Sequence, residues 1–214
     1  MQFTPYLLIA ATAYLLGSIP FGYILVRMFR KEDIREKGSG NIGATNVVRS
    51  GAKGLGALTF LLDALKGYVA VVAGRWIMMR FDATSTALGH AAALAALCAL
   101  IGHIWTVWLG FKGGKGVATA FGLFVALAPW AAWLSLATFI LVVAVTRYVS
   151  LASIAGAFFI PVYALLLPHG QRSPWVLAML FVIPAVVILK HHQNIARLLH
   201  GTEYRFGGSK ASGA

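Results

Sequence analysis

The sequence has few acidic residues and few charges of any kind. Of its 214 residues, 6 are Asp or Glu and 18 are Lys or Arg, so 11% are charged, whereas a soluble domain carries about 25%. A single cysteine, Cys98, excludes a disulfide framework. Hydrophobic residues instead make up 59% of the chain. This composition indicates an integral membrane protein.

Seven apolar runs of about membrane-spanning length follow one another. A transmembrane helix needs about 20 residues, and the runs predict helices near 4–26, 54–79, 86–108, 115–130, 132–148, 150–167 and 175–196. Because 116–146 is almost continuously apolar, one long helix with a re-entrant piece is an alternative for the fourth and fifth spans. We predict an all-α integral membrane protein with about seven transmembrane helices. A single transmembrane domain covers 1–206, and a flexible polar tail covers 207–214.

The cations are distributed unevenly between the two ends of the predicted helices. The net charge of +12 could indicate a nucleic-acid partner, but the hydropathy favours cationic loops beside a bilayer and no nucleic acid. With the N-terminus outside, most of the 18 cations fall on the inner side. Cytoplasmic loops carry an excess of Lys and Arg, so we predict an external N-terminus and a cytoplasmic C-terminus. The first apolar run has no small-residue cleavage pattern, so we expect no cleavable signal peptide.

A glycine-rich cationic segment, KGSGNIGATNVVRSG at 37–51, follows the first run. Gly38, Gly40 and Gly43 spell G-x-G-x-x-G, but a dinucleotide site requires a preceding strand, which flanking membrane helices exclude. Glycines let backbone N–H groups approach an anion closely. A flexible loop whose cations meet anionic lipid is the alternative. Side chains suited to phosphate here are Ser39, Asn41, Thr45, Asn46 and Arg49.

A second polar segment, GHIWTVWLGFKGGKGVATAFG, covers 102–122. Its FKGGKG stretch lacks the G-x-x-x-x-G-K-[ST] spacing of a phosphate loop. Lys112 and Lys115 nevertheless bracket Gly113 and Gly114 just before a predicted helix, and a helix N-terminus attracts anions. His103 is either a packed histidine or a site residue.

The third polar segment is KHHQNIARLLHGTEYRF at 190–206. Lys190, His191 and Asn194 share one helix flank with Arg197. A basic helix end reaching to the membrane surface explains the two cations, but not the histidine and the asparagine. No H-x-x-x-H or H-E-x-x-H spacing occurs on a helix, so we predict no metal.

Asp63 and Lys66 form an ionisable pair within the second predicted span. Such a pair is costly in a membrane and is a functional hypothesis by default. A structural role, in which the pair orients the helix bundle, is our prediction.

Five segments together resemble the bacterial acyl-phosphate:glycerol-3-phosphate acyltransferases, small multispan enzymes that make lysophosphatidic acid. The resemblance covers nearly the whole chain and is carried by GSIPFGYILVR, GSGNIGATNVVR, LDALKG, GHIWTVWLGFKGGKGVAT and KHHQNIARLLHGTE. It implies transfer of a fatty acyl group from acyl phosphate to the 1-hydroxyl of sn-glycerol-3-phosphate, with release of inorganic phosphate. This is the first acylation step of phospholipid biosynthesis, at the cytoplasmic face of the bacterial inner membrane. It implies no cofactor and no obligate protein partner.

The resemblance also implies roles for individual residues. Ser39 and Arg49 would serve a substrate phosphate, and the glycines of the second motif would shape the glycerol-3-phosphate site. His191 and Asn194 would be required, and Glu203 would be structural. Spacing to the asparagine favours His191 over His192. The predicted catalytic residues are Ser39, Arg49, His191 and Asn194, and the substrate-binding set adds Asn41, Thr45, Asn46, His103, Lys112, Gly113, Gly114, Lys115, Gly116 and Lys190.

The sequence lacks a recognisable nucleophile-and-base motif. Neither G-x-S-x-G nor H-x-x-x-x-D occurs. An acyl phosphate is already activated, so positioning and cations would suffice. The proton of the attacking hydroxyl would go either to His191 or to a substrate phosphate oxygen, and both alternatives stay open. A transporter for a phosphorylated solute is the rival hypothesis, which short outer loops and the absence of evident inverted repeats disfavour.

Overall fold

The computed structural model of the protein describes residues 3–167 and 173–207. All regular structure in these two ranges is helical, which confirms the all-α prediction. The predicted tail lies outside the described residues, apart from Gly207. The helices are α1 (Thr4–Ser18), α2 (Phe21–Arg30), α3 (Ala44–Arg49), α4 (Lys53–Met78), α5 (Ser85–Ile104), α6 (Val117–Leu127), α7 (Pro129–Thr146), α8 (Val149–Leu166), α9 (Pro174–Leu189) and α10 (His192–Leu199), with 3₁₀ turns at Ile34–Glu36 and Val107–Leu109.

Five segments of the described chain are long and apolar enough to cross a membrane. They are Thr4–Arg30, Lys53–Met78, Ser85–Leu109, Pro129–Thr146 and Val149–Leu166. The pair α9 and α10, bent by 57°, adds a sixth if it counts as one broken span. The predicted count of seven is therefore not confirmed.

The difference from the predicted count lies in α6. This helix has 11 residues, about 16 Å at 1.5 Å per residue, whereas a bilayer core is about 30 Å thick. It ends just before Pro129, which begins α7. Because hydropathy does not register such a break, the sequence predicted a longer span at 115–130. A methyl group on Gly122 would lie 1.8 Å from the Ala64 carbonyl oxygen, so α6 packs backbone to backbone on α4.

The first span is broken between α1 and α2, at Ile19 and Pro20. A break leaves backbone carbonyls without helical donors, and side chains from other parts of the chain donate to them instead. Thr106 Oγ1 donates to the Ser18 carbonyl at 2.6 Å, and Lys66 Nζ donates to the Ile19 carbonyl at 2.6 Å. The Lys66 ammonium also pairs with Asp63 at 2.6 Å, and both side chains are buried. The pair thus ties α4 to the break, as the predicted structural role would have it, and Asp63 also lines the cavity described below.

Removing Lys66 alone is expected to destabilise the protein strongly. Lys66→Met leaves the Asp63 carboxylate buried without its cation, and the Ile19 carbonyl keeps only the Phe21 N–H as a donor. Breaking a buried ion pair costs about 3–5 kcal/mol. The free energy of unfolding in detergent measures the loss. The double variant Asp63→Asn/Lys66→Met, which buries no unpaired charge, should lose less. A double variant at least as unstable as Lys66→Met would contradict the ion-pair account.

The three polar segments lie at one end of the helical bundle. The Tyr14 hydroxyl donates to the Trp105 carbonyl at 2.8 Å, so the last turns of α1 lie beside the last turn of α5. The Phe206 N–H donates to the Arg147 carbonyl at 2.8 Å, which brings the C-terminal segment to the joint between α7 and α8. Since α1 runs towards this end, its first residue, Thr4, lies at the opposite end.

Candidate active site

A cavity opens where the three polar segments meet. Its walls come from helices α3 to α8 and α10, and from the segments that precede α3, α6 and α10 and follow α10. Residues predicted from all three segments line this one space. They are Ser39, Asn41, Thr45, Asn46, Arg49, His103, Lys115, Gly116, His191 and Asn194.

Four residues of the predicted binding set do not line the cavity. The Lys112 side chain is exposed. Lys190 Nζ lies over the Trp105 ring, 5.3 Å from its centroid. The N–H groups of Gly113 and Gly114 donate to the carbonyls of Ile104 and His103, each at 3.0 Å. These two glycines hold the 110–116 segment against the end of α5.

Gly114 is required by the close approach of its segment to His103. A methyl group there would lie 2.2 Å from His103 Nε2. The glycine thus keeps the imidazole in place at the wall of the cavity. The physical reason for a glycine here differs from the phosphate contact that the sequence suggested.

We expect Gly114→Ala to destabilise the protein by about 1–3 kcal/mol, because the added methyl forces the imidazole or the backbone to move. Gly54→Ala in α4 is the matched control, since a methyl there meets nothing within 4 Å. The free energies of unfolding of both variants in detergent provide the comparison. Equal stability of the two variants would contradict this prediction, because it would mean that the 110–116 segment moves to accept the methyl group at no cost in free energy.

A chain of polar contacts forms one wall of the cavity. Lys115 Nζ donates to Asn194 Oδ1, and Asn194 Nδ2 donates to Glu203 Oε1 at 2.8 Å. Arg197 Nε donates to Glu203 Oε2 at 2.7 Å. Burial would raise the pKa of Glu203, but the hydrogen bonds from Asn194 and Arg197 outweigh it and hold that pKa below its ordinary value. The carboxylate therefore stays charged and holds two residues of the wall.

Lys115 is a cation in an unfavourable setting. Burial, together with the positive charge of Arg197, lowers the pKa of Lys115 from 10.5 to about 8. An anion bound beside Lys115 would relieve both effects. The wall is thus prepared for a negatively charged ligand.

Arg49 projects into the cavity from the end of α3. Its Cζ lies 4.0 Å from the centroid of the Tyr204 ring. Its side chain makes no hydrogen bond and no ion pair with any residue that the structure describes, and its Nε is buried. Arginine presents its donors in a planar fork that matches phosphate, so these N–H groups are available to an anion.

The asparagines of the first segment hold that segment together. Asn46 Nδ2 donates to the carbonyls of Ile34, Lys37 and Asn41 at 3.1, 3.0 and 2.8 Å. Its Oδ1 accepts from the Ser39 N–H at 2.8 Å. By contrast, no hydrogen bond joins the hydroxyls of Ser39 and Thr45 to the described part of the chain. The hydroxyls are therefore better placed than the asparagines to contact a ligand.

Two buried histidines border the cavity. His191 Nδ1 lies 2.8 Å from the Val187 carbonyl oxygen. A carbonyl can only accept, so Nδ1 carries the proton and Nε2 is left as an acceptor in the neutral ring. His103 Nδ1 lies 3.0 Å from Thr119 Oγ1. His192 is exposed, in agreement with the preference for His191.

Several residues of the cavity wall were not predicted as site residues from the sequence. Ser150 and Ser153 of α8 are buried and line the cavity. Phe139, which is half-buried, and Tyr204, which is exposed, line it as well. Two serines three residues apart in an apolar helix were a signal that could have been noticed. Arg197 was noted as a basic helix end but belongs to the wall.

An apolar pocket continues from the cavity between α4, α6, α7, α8 and α9. The two spaces share Phe60, Val117, Phe139 and Ser153. Deeper in, the pocket is lined by Phe121, Phe124, Leu136, Ala157, Ile160, Pro184 and Val187. A cationic end that leads into an apolar pocket fits an amphiphile with an anionic head. Within the described ranges, no three His, Cys, Asp or Glu side chains are grouped so that they could hold a metal ion.

Comparisons with known proteins agree with this geometry. The sequence model of the family described as glycerol-3-phosphate acyltransferase matches residues 7–201. The glycerol-3-phosphate acyltransferase of Trichlorobacter lovleyi is 48% identical over 196 residues, 92% of this chain and 95% of the relative. That of Syntrophotalea carbinolica is 46% identical and covers 95% and 98%.

Two solved structures are similar in fold and sequence. Both are crystal structures of PlsY (YgiH), an integral membrane glycerol 3-phosphate acyltransferase. The glycerol 3-phosphate form matches with a TM-score of 0.83 and 39% identity, over 94% of this chain and 96% of that one. The lysophosphatidic acid form matches with a TM-score of 0.81 and 38% identity, over 94% and 95%.

Proposed function

This chain belongs to the glycerol-3-phosphate acyltransferase family, and we propose that it takes its acyl group from acyl phosphate. It is an integral membrane acyltransferase that acylates glycerol-3-phosphate to lysophosphatidic acid. The observation that carries the donor proposal is the cavity itself. Arg49, Lys115 and Arg197 surround a space that leads directly into an apolar pocket, which suits a phosphate head joined to a fatty chain.

The reaction is an acyl transfer between two oxygens. The 1-hydroxyl oxygen of glycerol-3-phosphate attacks the carbonyl carbon of acyl phosphate, and the bond between that carbon and the phosphate oxygen breaks. Inorganic phosphate leaves with the bonding electron pair. Because the mixed anhydride is already activated, the main tasks of the protein are to bring two anionic substrates together and to stabilise the departing phosphate.

The described contacts support a division of labour within the cavity. Arg49 and the hydroxyls of Ser39 and Thr45 would bind one phosphate, and Lys115 and Arg197, which also line the cavity, would bind the other. The acyl chain would lie in the apolar pocket. Asn46 would fold the first segment, and Glu203 would hold Asn194 and Arg197 in place.

The attacking hydroxyl must lose a proton, and two groups can receive it. His191 presents Nε2 as an acceptor at the cavity wall. A phosphate oxygen of a substrate, held among the cations, is the other acceptor. We propose the phosphate oxygen for two reasons. The leaving phosphate needs a proton at neutral pH. The partner of His191 Nδ1 is the Val187 carbonyl, and no carboxylate among the described residues contacts the ring to make it a stronger base.

We also propose an orientation in the bacterial inner membrane. Because the positive-inside rule assigns the cation-rich end to the cytoplasm, the cavity would open to the cytoplasm. The N-terminus would then lie outside and the C-terminus inside. Glycerol-3-phosphate would enter from the cytoplasm, and the lipid product would leave through the bilayer.

The decisive experiment offers the purified, detergent-solubilised protein glycerol-3-phosphate with either palmitoyl phosphate or palmitoyl-CoA and measures lysophosphatidic acid. We expect product with the acyl phosphate alone, without a second protein or an added cofactor. A thiolate leaves less readily than phosphate, so a thioester donor asks for a stronger base. The one carboxylate that lies beside a described histidine of the cavity, Asp63 at 3.8 Å from His103 Nδ1, is already paired with Lys66 at 2.6 Å. Comparable turnover with palmitoyl-CoA would overturn the donor proposal. Uptake of glycerol-3-phosphate into sealed vesicles without product would favour a transporter.

The alkaline limb of the activity profile should report on Lys115. With a pKa of about 8, its ammonium is charged below that pH and neutral above it, so kcat/KM for glycerol-3-phosphate is expected to fall as pH rises through about 8. Lys115→Arg keeps the charge at every working pH, so the fall should move to higher pH even if the maximal rate is lower. A profile unchanged by Lys115→Arg would assign the limb to another group.

A further inference from the structure

The segment that follows α10 folds back over the cavity at fixed points. Glu203 is tied to Asn194 and Arg197, and the Phe206 N–H donates to the Arg147 carbonyl at 2.8 Å. Tyr204 lies between these two anchors and lines the cavity. Its backbone is therefore held on both sides, and its ring has a defined position.

The Tyr204 ring faces the guanidinium of Arg49. The 4.0 Å from Cζ to the ring centroid is well within the range of about 6 Å for a cation–π interaction. This contact joins the end of the first polar segment to the end of the third. Nothing in the sequence pattern indicated it.

The way in which Arg49 is held matters for what it can bind. Arg49 is half-buried. An arginine withdrawn from water is usually paired with a carboxylate, which occupies its N–H donors. The nearest carboxylate along the C-terminal segment is Glu203, and both of its oxygens already accept from other residues. An aromatic face attracts the cation without accepting any of its in-plane hydrogen bonds.

We propose that Tyr204 is a positioning residue that holds the Arg49 guanidinium in the cavity while leaving its N–H groups free for a substrate phosphate. This inference rests on the proposed function, since it assigns the freed donors to a substrate of that reaction. Tyr204 acts through Arg49 and takes no part in bond making or breaking. The aromatic ring, not the hydroxyl, is the part that matters.

The test compares Tyr204→Leu with Tyr204→Phe. The leucine variant should raise the KM for glycerol-3-phosphate or for acyl phosphate by about 3–30-fold, because a cation–π contact contributes about 0.5–2 kcal/mol. The phenylalanine variant keeps the ring and should restore most of the affinity. Tyr148→Leu is the matched control, because its ring lies 6.0 Å from Arg205 Cζ and does not line the cavity. Its KM values should be unchanged.

A second measurement does not depend on turnover. Phenylglyoxal modifies accessible arginines, and peptide mass spectrometry reports its rate at Arg49. Tyr204→Leu should make Arg49 react several-fold faster, Tyr204→Phe should leave the rate near that of the unaltered protein, and inorganic phosphate should protect Arg49 in all three.

The outcomes separate this inference from the proposed function. Absence of lysophosphatidic acid from the unaltered protein would overturn the function but not the modification pattern. Loss of affinity in Tyr204→Phe equal to that in Tyr204→Leu would assign the role to the hydroxyl and overturn the inference. The inference would also be overturned if Tyr204→Leu had the same KM values and the same Arg49 reactivity as the unaltered protein.

Discussion

Replacing Arg49 with alanine is expected to lower kcat/KM at least 100-fold while leaving the protein folded. The charge-assisted hydrogen bonds of an arginine contribute about 1.5–3 kcal/mol, and loss of one donor group that stabilises transition-state charge lowers rates by about 10²–10³-fold. The Arg49 side chain makes no hydrogen bond or ion pair within the described structure, so its removal leaves no hydrogen-bond partner unsatisfied. Rates of lysophosphatidic acid formation and thermal unfolding in detergent measure the two effects separately.

Two further variants sharpen this experiment. Arg205→Ala removes a neighbouring arginine that packs on Tyr148 outside the cavity, and its activity should be unchanged. Ser39→Ala should also lower turnover, because the Ser39 hydroxyl lines the cavity without a partner among the described residues. A folded Arg49→Ala variant with full activity would refute the phosphate role.

Changing Asn194 to aspartate is expected to be nearly as damaging, although the two side chains have almost the same shape. The amide nitrogen donates to Glu203 Oε1 at 2.8 Å, so Asn194→Asp places a second carboxylate against the first. One of the two would have to take up a proton or move away. The added negative charge would also neutralise Lys115, which contacts the same side chain. We expect at least a 100-fold loss in kcat/KM and a lower unfolding temperature.

Gln193→Glu is the matched control for the charge change. It introduces the same charge one residue away, on an exposed side chain. Activity of this variant should stay within about twofold of the unaltered protein, because exposed charges interact weakly through water. If both variants lost activity equally, a general electrostatic effect would replace the specific contact with Glu203 as the cause.

The helices and the polar segments of the site were predictable because they contrast with their surroundings. In a chain that is 59% hydrophobic, a glycine-rich cationic segment such as 37–51 can hardly be part of a span. Helix order then carries the three segments to one end of the bundle. Ten of the predicted site residues line one cavity, and Arg49, Lys115 and His191 are among them.

What the sequence did not reveal depends on distances between segments. Hydropathy reports composition, so the apolar stretch 116–146 predicted a full span at 115–130, where the structure has the 11-residue helix α6. Asn46 and Asn41 were grouped with the binding residues because an amide suits phosphate, yet the structure shows the Asn46 amide bonded to three backbone carbonyls. Whether a polar side chain faces a ligand or its own loop is decided by the folded backbone.

The break between α1 and α2 has a consequence for the biogenesis of the protein. While the first span leaves the ribosome, Thr106, which donates to its Ser18 carbonyl, has not yet been synthesised. Lys66, which joins the Phe21 N–H as a donor to the Ile19 carbonyl, is also still missing. Unsatisfied polar groups in hydrocarbon cost several kcal/mol each. We therefore expect the first three spans to leave the translocon for the lipid together. Nascent chains that stop before Thr106 should still crosslink to the translocon.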